Sequence, residues 1–352
     1  TGLFFRGQMV RLERAGIRAF IVQGNHDAQG VISKQLALPP NVTVFSSRNA
    51  QTVRLDELSV AIHGRSFPER AVDEDLVPSY PPPVPGFFNI GLLHTSLTGR
   101  AGHDTYAPTD LPTLIAKGYD YWALGHVHAR EVLNNRPLIV FSGNLQGRHA
   151  RETGPKGCEL VTVEGGRIET EFVALDVVRW SQVAIPLDGV ERLDALSEAF
   201  RQALEPVLTG ATDRLHAVRV TLTGSTDLHR LEADQPGTLA AAMYAAAQDI
   251  GEAEIWIEQV RLALTTPLDR ARIAQRQDAV GELVRLVDSI LGDETELTRC
   301  AQAELGDLFT SMPQEVAAGD VPILDDLAEL KRLLMDAEAT VLARLAASGE
   351  GA

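Results

Sequence analysis

Short apolar runs in the first half of the chain end at residues that can bind a metal, and this pattern constrains the fold most strongly. The residues that follow three such runs are, in chain order, Asn25 and His26, then His94, then His126 and His128. The runs are rich in β-branched and aromatic residues and are separated by Gly- and Pro-containing loops, which predicts β-strands. In layered α/β folds the binding site lies outside the carboxyl ends of the strands. We therefore predict an α/β fold with a polar site at one edge of a sheet.

The spacing of these residues predicts how they face the site. Residues i and i+2 of an extended segment point the same way, so His126 and His128 are expected to face one metal cluster. Asn25 and His26 point apart, so one can bind a metal while the other faces a substrate. Imidazole nitrogens and amide oxygens suit Mn²⁺, Fe²⁺ or Zn²⁺.

Three further residues at these strand ends have simpler interpretations. Gly24 and Gly125 precede the ligands and are expected to allow the backbone turns needed there. His63 also ends an apolar run, but no partner motif accompanies it. We predict that His63 has a structural role.

The order of these motifs resembles that of a known superfamily. Gly24-Asn25-His26-Asp27, a later single His94 and Gly125-His126-Val127-His128 resemble the calcineurin-like metallophosphoesterases. The resemblance narrows to the SbcD/YhaO-type DNA repair exonucleases through further segments, which are residues 91–96, 106–108, 120–128, 143–149 and 152–157. It is strong over residues 3–175 and implies a layered α-β-β-α metallophosphoesterase sandwich.

The resemblance also implies roles for the site residues. Asn25, His94 and His126 would bind one metal, and His128 would bind a second. His26 would act as general acid, or stabilise the transition state, beside the scissile phosphate. The two ions, expected to be Mn with Fe or Zn as alternatives, would polarise the phosphoryl oxygens and generate a hydroxide nucleophile.

Several other residues are candidates on weaker grounds. We hypothesise that Asp27 orients His26 or a neighbouring loop. His103 lies in a Gly-containing loop after His94, where a substrate-side role is one reading. A basic cluster in the first half can contact phosphates or form a solvated hairpin; it comprises Arg148, His149, Arg151 and Lys156.

The sequence also departs from the family pattern. The family has an Asp-x-His and a Gly-Asp-x-x-Asp upstream of Gly-Asn-His-Asp, whereas residues 1–24 contain no Asp and no His. Most ligands of the first metal are therefore not in this sequence. We expect that an N-terminal segment carrying these strands is missing, and that the chain as given is inactive by itself.

Three regions are predicted along the chain. Residues 1–175 form the metallophosphoesterase (nuclease) domain. Residues 176–265 read β-α-β-α-β and form a small α/β capping domain. Residues 266–352 form a helical region, with amphipathic helices at Leu268–Leu291 and Leu324–Leu345.

Charge and composition limit the environment of the protein. The net charge of −16 lies in the second half, because residues 1–175 hold 17 basic and 17 acidic residues. The half with the predicted site therefore does not repel a polyanion. No apolar run approaches the roughly 18 residues of a membrane span, and the start of the chain does not read as a secretory signal. Cys158 and Cys300 fit reduced thiols, so we expect a cytoplasmic protein.

These observations favour a Mn-dependent DNA exo- or endonuclease subunit acting in DNA repair. The resemblance implies an SMC-like ATPase partner of the SbcC/YhaN type and a tendency to form a homodimer. The apolar stripes of residues 266–352 are either core or a docking surface for that partner. Two alternatives stay open: a phosphodiesterase or phosphatase for small nucleotides, and a non-catalytic scaffold.

Overall fold

The computed structural model describes residues 2–26, 37–97, 106–210, 212–250, 255–267, 270–311 and 326–349. The chain divides into two compact units, Thr1–Arg179 and Trp180–Ala352. This boundary lies four residues beyond the predicted end of the nuclease domain. The further division of the second unit into a capping domain and a helical region stays a prediction.

A six-stranded sheet forms the centre of the first unit. Its strands are β3 (Gln51–Leu55), β4 (Val60–Gly64), β5 (Phe88–His94), β6 (Tyr121–Gly125), β7 (Glu131–Asn135) and β8 (Leu138–Phe141). They are ordered β3-β4-β5-β6-β8-β7, and β4, β5, β6 and β8 run parallel to one another. The carboxyl ends of these four strands therefore lie at the same edge of the sheet, as the sequence predicts.

Two layers of apolar side chains cover the faces of this sheet. A second sheet consists of two parallel strands, β1 (Ala19–Ile21) and β2 (Val42–Val44). Phe20 of β1 and Phe45, directly after β2, belong to a core shared with Ile62 of β4. A separate, larger core surrounds Trp122 of β6 and includes Leu114 of helix α2 (Leu111–Ala116).

The outer layer beside the smaller sheet is helix α1 (Gly2–Arg14). Asn41, just before β2, ties this helix to the sheet, because its Nδ2 donates to the backbone oxygens of Met9 and Ile17. The layers thus follow the order α-β-β-α, and the predicted metallophosphoesterase sandwich is confirmed. A two-stranded hairpin, β9 (Gly157–Glu164) and β10 (Arg167–Ala174), completes the unit.

The second unit begins with a three-stranded sheet. Its elements are β11 (Val178–Pro186), α3 (Leu193–Thr209), β12 (Leu215–Ser225), α4 (Leu228–Asp234), α5 (Thr238–Ile250) and β13 (Ile255–Thr265). The strands are ordered β11-β12-β13, and β12 and β13 are parallel. Helices α3 and α5 cover one face of the sheet, with Phe200 and Met243 buried in the core. The structure thus contains the predicted β-α-β-α-β elements and adds α4.

The helical region differs from the prediction at its start. The expected helix Leu268–Leu291 is two helices, α6 (Arg270–Ala274) and α7 (Ala279–Gly292), while residues 268 and 269 lie outside the described part. The expected helix is interrupted at Asp278, where the backbone is extended. The Asp278 Oδ1 lies 3.0 Å from the Gly281 nitrogen, so Asp278 is the N-cap of a new helix. Two longer helices follow, α8 (Glu294–Ser311) and α9 (Leu327–Gly349).

None of the helices in the described part of the chain is long and apolar enough to cross a membrane.

Candidate active site

A cavity of about 660 Å³ opens at the carboxyl edge of the central sheet. His94 at the end of β5 borders it, together with residues that follow β1, β6 and β8. Its lining includes every predicted metal ligand and the predicted acid: Asn25, His26, His94, His126 and His128. The tertiary structure thus brings together residues that the sequence places in three separate segments.

Asn25 and His94 make direct contact within this cavity. The His94 Nε2 lies 3.0 Å from the Asn25 Oδ1, and Asn25 is almost completely buried. An amide oxygen can only accept, so in this arrangement Nε2 carries the hydrogen. His26, the neighbour of Asn25, is exposed to solvent, which agrees with the expectation that the two side chains point apart.

Gly24 permits the approach of His94 to Asn25. A Cβ atom at position 24 would fall inside van der Waals distance of three atoms of the His94 ring. The glycine is needed for space, and its φ does not lie in the left-handed region. The expectation that Gly24 serves a backbone turn is therefore corrected.

Burial sets the protonation state of His94. Burial, with smaller contributions from the nearby His126, His26 and His128, lowers the pKa of His94 to about 4. The imidazole is therefore neutral at physiological pH. A neutral imidazole is the form that binds metal ions.

His126 lies on a strained backbone directly after β6. Its φ of 105° falls in the left-handed region, which costs a non-glycine residue about 1–3 kcal/mol. The preceding Gly125 has no positive φ, so the expected turn occurs one residue later. The His126 ring centroid lies 5.1 Å from that of His94 and 5.2 Å from that of Tyr106.

His128 lines the same cavity but has different neighbours. The segment from His126 to His128 is not a strand, so the argument from an extended backbone does not describe how they meet. His128 Nδ1 lies 2.6 Å from Oε1 of Glu152, and the Arg148 Nη2 lies 3.1 Å from the same nitrogen. The loop after β8 supplies both of these neighbours.

Glu152 is a buried carboxylate that lines the cavity and is only 8% exposed. Its Oε2 accepts from the backbone nitrogen of Arg148 at 2.8 Å and from Nδ2 of Asn144 at 3.0 Å. Burial by itself raises the pKa of Glu152, but the hydrogen bonds from Arg148, His128 and Asn144 outweigh it and lower the pKa to about 2. Glu152 is therefore ionised, and both of its carboxylate oxygens have hydrogen-bond partners.

The predicted basic cluster lies on the loop between β8 and β9. His149, Arg151 and Lys156 line the cavity, whereas Arg148 contacts two lining residues, His128 and Glu152. Arg70 also lines the cavity and was not predicted, because an isolated arginine in a loop carries no sequence signal.

Glu152 and Tyr106 lie within motifs that support the family resemblance, yet the sequence assigned neither a role. Both line the cavity, and the motif positions were the signal that could have identified them. Asp27 and His103 lie outside the described residues, so their predicted roles stay hypotheses.

His63 is fully buried and forms part of the core beneath the sheet edge. Its Nδ1 lies 2.8 Å from Oγ1 of Thr52, its Nε2 lies 3.0 Å from Oδ1 of Asn89, and its ring stacks on that of Tyr119. These contacts use both ring nitrogens. They support the structural role that the sequence predicted.

The donor set suits a divalent metal ion in part. Two ligands about 2.1 Å from one ion and at right angles are about 3 Å apart. This separation matches the 3.0 Å between Asn25 Oδ1 and His94 Nε2, which would serve as a ligand in the tautomer with its hydrogen on Nδ1. Among the residues that the structure describes, however, no three His, Cys, Asp or Glu side chains are grouped closely enough to hold a metal. The described residues therefore fit part of a coordination sphere.

An α-β-β-α sandwich with histidines and an asparagine at its strand ends is the arrangement of a metallophosphoesterase, and comparisons with known proteins agree. Residues 180–265 match the family model described as "Metallophosphoesterase YhaO, middle domain". The chain is 33% identical over 264 residues to a Bacillus subtilis (strain 168) protein described as an uncharacterized metallophosphoesterase YhaO. The match covers 74% of this chain and 64% of the relative, so the chain spans less than two thirds of the relative's length. These similarities support a metallophosphoesterase of the YhaO type.

Proposed function

We propose that this chain carries part of the catalytic site of a metal-dependent DNA exo- or endonuclease that hydrolyses phosphodiester bonds in DNA repair in the cytoplasm. The observation that carries the proposal is the cavity at the sheet edge, which is lined by five histidines, Asn25 and three cationic side chains. The cations are Arg70, Arg151 and Lys156. Imidazole and amide donors bind divalent metals, while Arg and Lys contact phosphates.

Asn25, His94, His126 and His128 are the residues that would hold two divalent metal ions, of which Mn is our first choice. Such ions polarise phosphoryl oxygens and lower the pKa of bound water. The chain itself contributes the neutral imidazole of His94 and the buried amide of Asn25, and the hydrogen of His94 would move from Nε2 to Nδ1 when Nε2 binds a metal. It also provides His26, which is exposed in the cavity and can deliver a proton to the leaving oxygen.

A polymeric substrate is favoured over a small one for two reasons. Several cations around one cavity can contact successive phosphates of a strand. The α/β sheet of the second unit is also an attachment that an enzyme for small phosphate esters does not need. A phosphodiesterase for small nucleotides stays the competing proposal, because one such site serves many phosphate esters.

The test is a nuclease assay with divalent metals, using the chain alone and extended by any residues encoded upstream. We expect Mn²⁺-dependent degradation of end-labelled DNA that His126→Ala abolishes. Asn135→Ala is the control, because Asn135 is exposed at the end of β7, which is an edge strand of the central sheet. Hydrolysis of a mononucleotide ester without any DNA cleavage would favour the small-substrate enzyme. A metal-loaded protein inactive on both would favour the scaffold.

We propose further that the helical region binds an SMC-like ATPase. Helices α7 to α9 enclose an apolar cavity of about 430 Å³, lined by residues that include Ile290, Leu297, Leu330 and Leu334. Exposed apolar side chains also occur on these helices, at Leu286, Leu308, Met335, Val341 and Leu345. Residues 266–352 hold 8 basic and 17 acidic residues, which favours a protein over DNA as the partner of this surface.

Binding of purified ATPase by calorimetry tests this partner. We expect Leu286→Glu combined with Met335→Glu to weaken binding by at least about tenfold, since buried apolar anchors carry much of the energy of an interface. Leu160→Glu is the control, because Leu160 is similarly exposed on the hairpin of the first unit. Unchanged affinity in the double variant would remove these helices from the interface.

A further inference from the structure

Glu152 contacts His128 in a way that determines which ring nitrogen of the histidine carries the hydrogen. The distance of 2.6 Å between Oε1 and Nδ1 is that of a strong hydrogen bond to a charged group. A carboxylate can only accept, so the hydrogen must lie on Nδ1. Nε2 is then left with a free lone pair.

Arg148 offers the competing arrangement. Its Nη2 lies 3.1 Å from His128 Nδ1 and 3.4 Å from Nε2. A guanidinium can only donate, so a hydrogen bond from Arg148 to Nε2 is compatible with a hydrogen on Nδ1, whereas one to Nδ1 would require Nδ1 to be an acceptor. Nδ1 and Glu152 Oε1 would then bring two lone pairs together at 2.6 Å, which is repulsive. The Arg148 side chain is 62% exposed and is free to adjust, so the Glu152 contact decides the tautomer.

The surroundings of Glu152 fix its orientation. Oε2 is occupied by the backbone N–H of Arg148 and by Nδ2 of Asn144. The Asn144 amide can turn over, but a backbone N–H cannot, so an acceptor is always required at the position of Oε2. Only Oε1 remains to face His128.

We propose that Glu152 is a positioning residue that holds His128 in the Nδ1–H tautomer and thereby leaves Nε2 as its metal-binding atom. The proposal rests on the function proposed above only for the use of Nε2; the tautomer itself follows from the contacts of the described residues. A carboxylate that accepts from one nitrogen of a metal-binding histidine orients the ring and raises its basicity as a ligand.

The isosteric variant Glu152→Gln gives the sharpest prediction. Its single side-chain oxygen must take the position of Oε2 to accept from the Arg148 backbone, so its NH₂ faces His128. Nδ1 must then become the acceptor, and the hydrogen moves to Nε2. A change that keeps the shape of the side chain therefore blocks the metal-binding atom.

The measurement is long-range ¹H–¹⁵N correlation NMR of ¹⁵N-histidine-labelled protein at alkaline pH without metal, with His128 assigned from a His128→Asn spectrum. We expect the Nδ1–H form in the native chain and in Arg148→Ala, and the Nε2–H form in Glu152→Gln. Glu159→Gln is the matched control, because the Glu159 side chain is a buried carboxylate paired with Arg130, just before β7. Its His128 signals should match the native ones. Thermal melting verifies that each variant is folded.

An Nε2–H form in the native chain would overturn the proposal, and this outcome does not depend on whether any variant folds. A folded Glu152→Gln that keeps the Nδ1–H form would overturn it as well. A titration with Mn²⁺ separates this proposal from the function above. Native His128 signals that show the expected tautomer but do not respond to Mn²⁺ would support the positioning role and contradict metal binding. Where Mn²⁺ does bind, we expect Glu152→Gln to weaken it by about 10–100-fold.

Discussion

The Nε2 atom of His94 lies 3.0 Å from the Oδ1 atom of Asn25, although the two residues are 69 positions apart in the chain. One follows β1 of the smaller sheet and the other ends β5 of the central sheet, so the contact joins the two sheets at the edge of the sandwich. It places a neutral imidazole and a buried amide oxygen at the separation that two ligands of one metal ion have.

Asn25→Ala removes one of these two donors. Loss of a residue that only supports a ligand costs about 10–100-fold in metal affinity, so loss of a ligand should cost at least that much. Isothermal titration calorimetry with Mn²⁺ measures the effect. Asn135→Ala makes the same change at an exposed strand end, and this control should bind Mn²⁺ with the affinity of the native chain. Equal Mn²⁺ affinity in both variants would exclude Asn25 as a ligand.

Gly24→Ala tests the space between the Asn25 segment and His94. The added Cβ would overlap the His94 ring, so the ring must move and the hydrogen bond to Asn25 is lost. We expect a loss of about 1–3 kcal/mol in the free energy of unfolding, together with weaker Mn²⁺ binding. Gly7→Ala is the matched control. Position 7 lies in α1 with open space around it, so that alanine should stabilise the protein by about 1 kcal/mol. A Gly24→Ala protein as stable as the native one would contradict the close approach.

His26→Gln tests the exposed histidine of the cavity as general acid. Removal of such a group lowers kcat by about 10²–10⁴-fold, and the pH–rate profile should lose its descending limb at high pH. Mn²⁺ affinity should stay within a few-fold of the native value, because Asn25 and His94 are retained. A fall in metal affinity that matches the fall in kcat would instead identify His26 as a ligand.

His63→Gln tests a histidine of the core. Burial is the main cause that lowers the pKa of His63 from 6.5 in the folded protein, while Asn89 opposes and Lys117 reinforces the shift. The unfolded chain therefore binds a proton more readily, so His63 makes the free energy of unfolding fall as the pH decreases through 6.5.

The glutamine variant should lose about 1–3 kcal/mol at neutral pH, because hydrogen bonds of the core are left unmade. Its free energy of unfolding should depend less on pH between about pH 7.5 and 5 than that of the native chain. Urea denaturation at several pH values measures both effects. His149→Gln, at an exposed histidine, is the control. If the free energy of unfolding of His63→Gln depends on pH as strongly as that of the native protein, His63 is not the source of this pH dependence.

The sequence by itself determined the four parallel strands of the central sheet, the types of donor that follow them and the elements of the second unit's sheet, while β3 and β7 were not predicted. Strand periodicity and turn residues are local signals, and parallel strands necessarily bring their carboxyl ends to one edge. The same periodicity predicted a first helix after Pro267 that is too long. Periodicity shows which face of a helix is apolar, but it does not show that Asp278 caps a new helix.

Only the tertiary structure decided which side chains meet. The pairing of Asn25 with His94 depends on the packing of two sheets, and that of Glu152 with His128 depends on the path of the loop after β8. The left-handed backbone of His126 and the inclusion of Arg70 in the cavity have the same origin. Local sequence constrains backbone conformation and burial, whereas contacts between distant segments follow from how the layers pack.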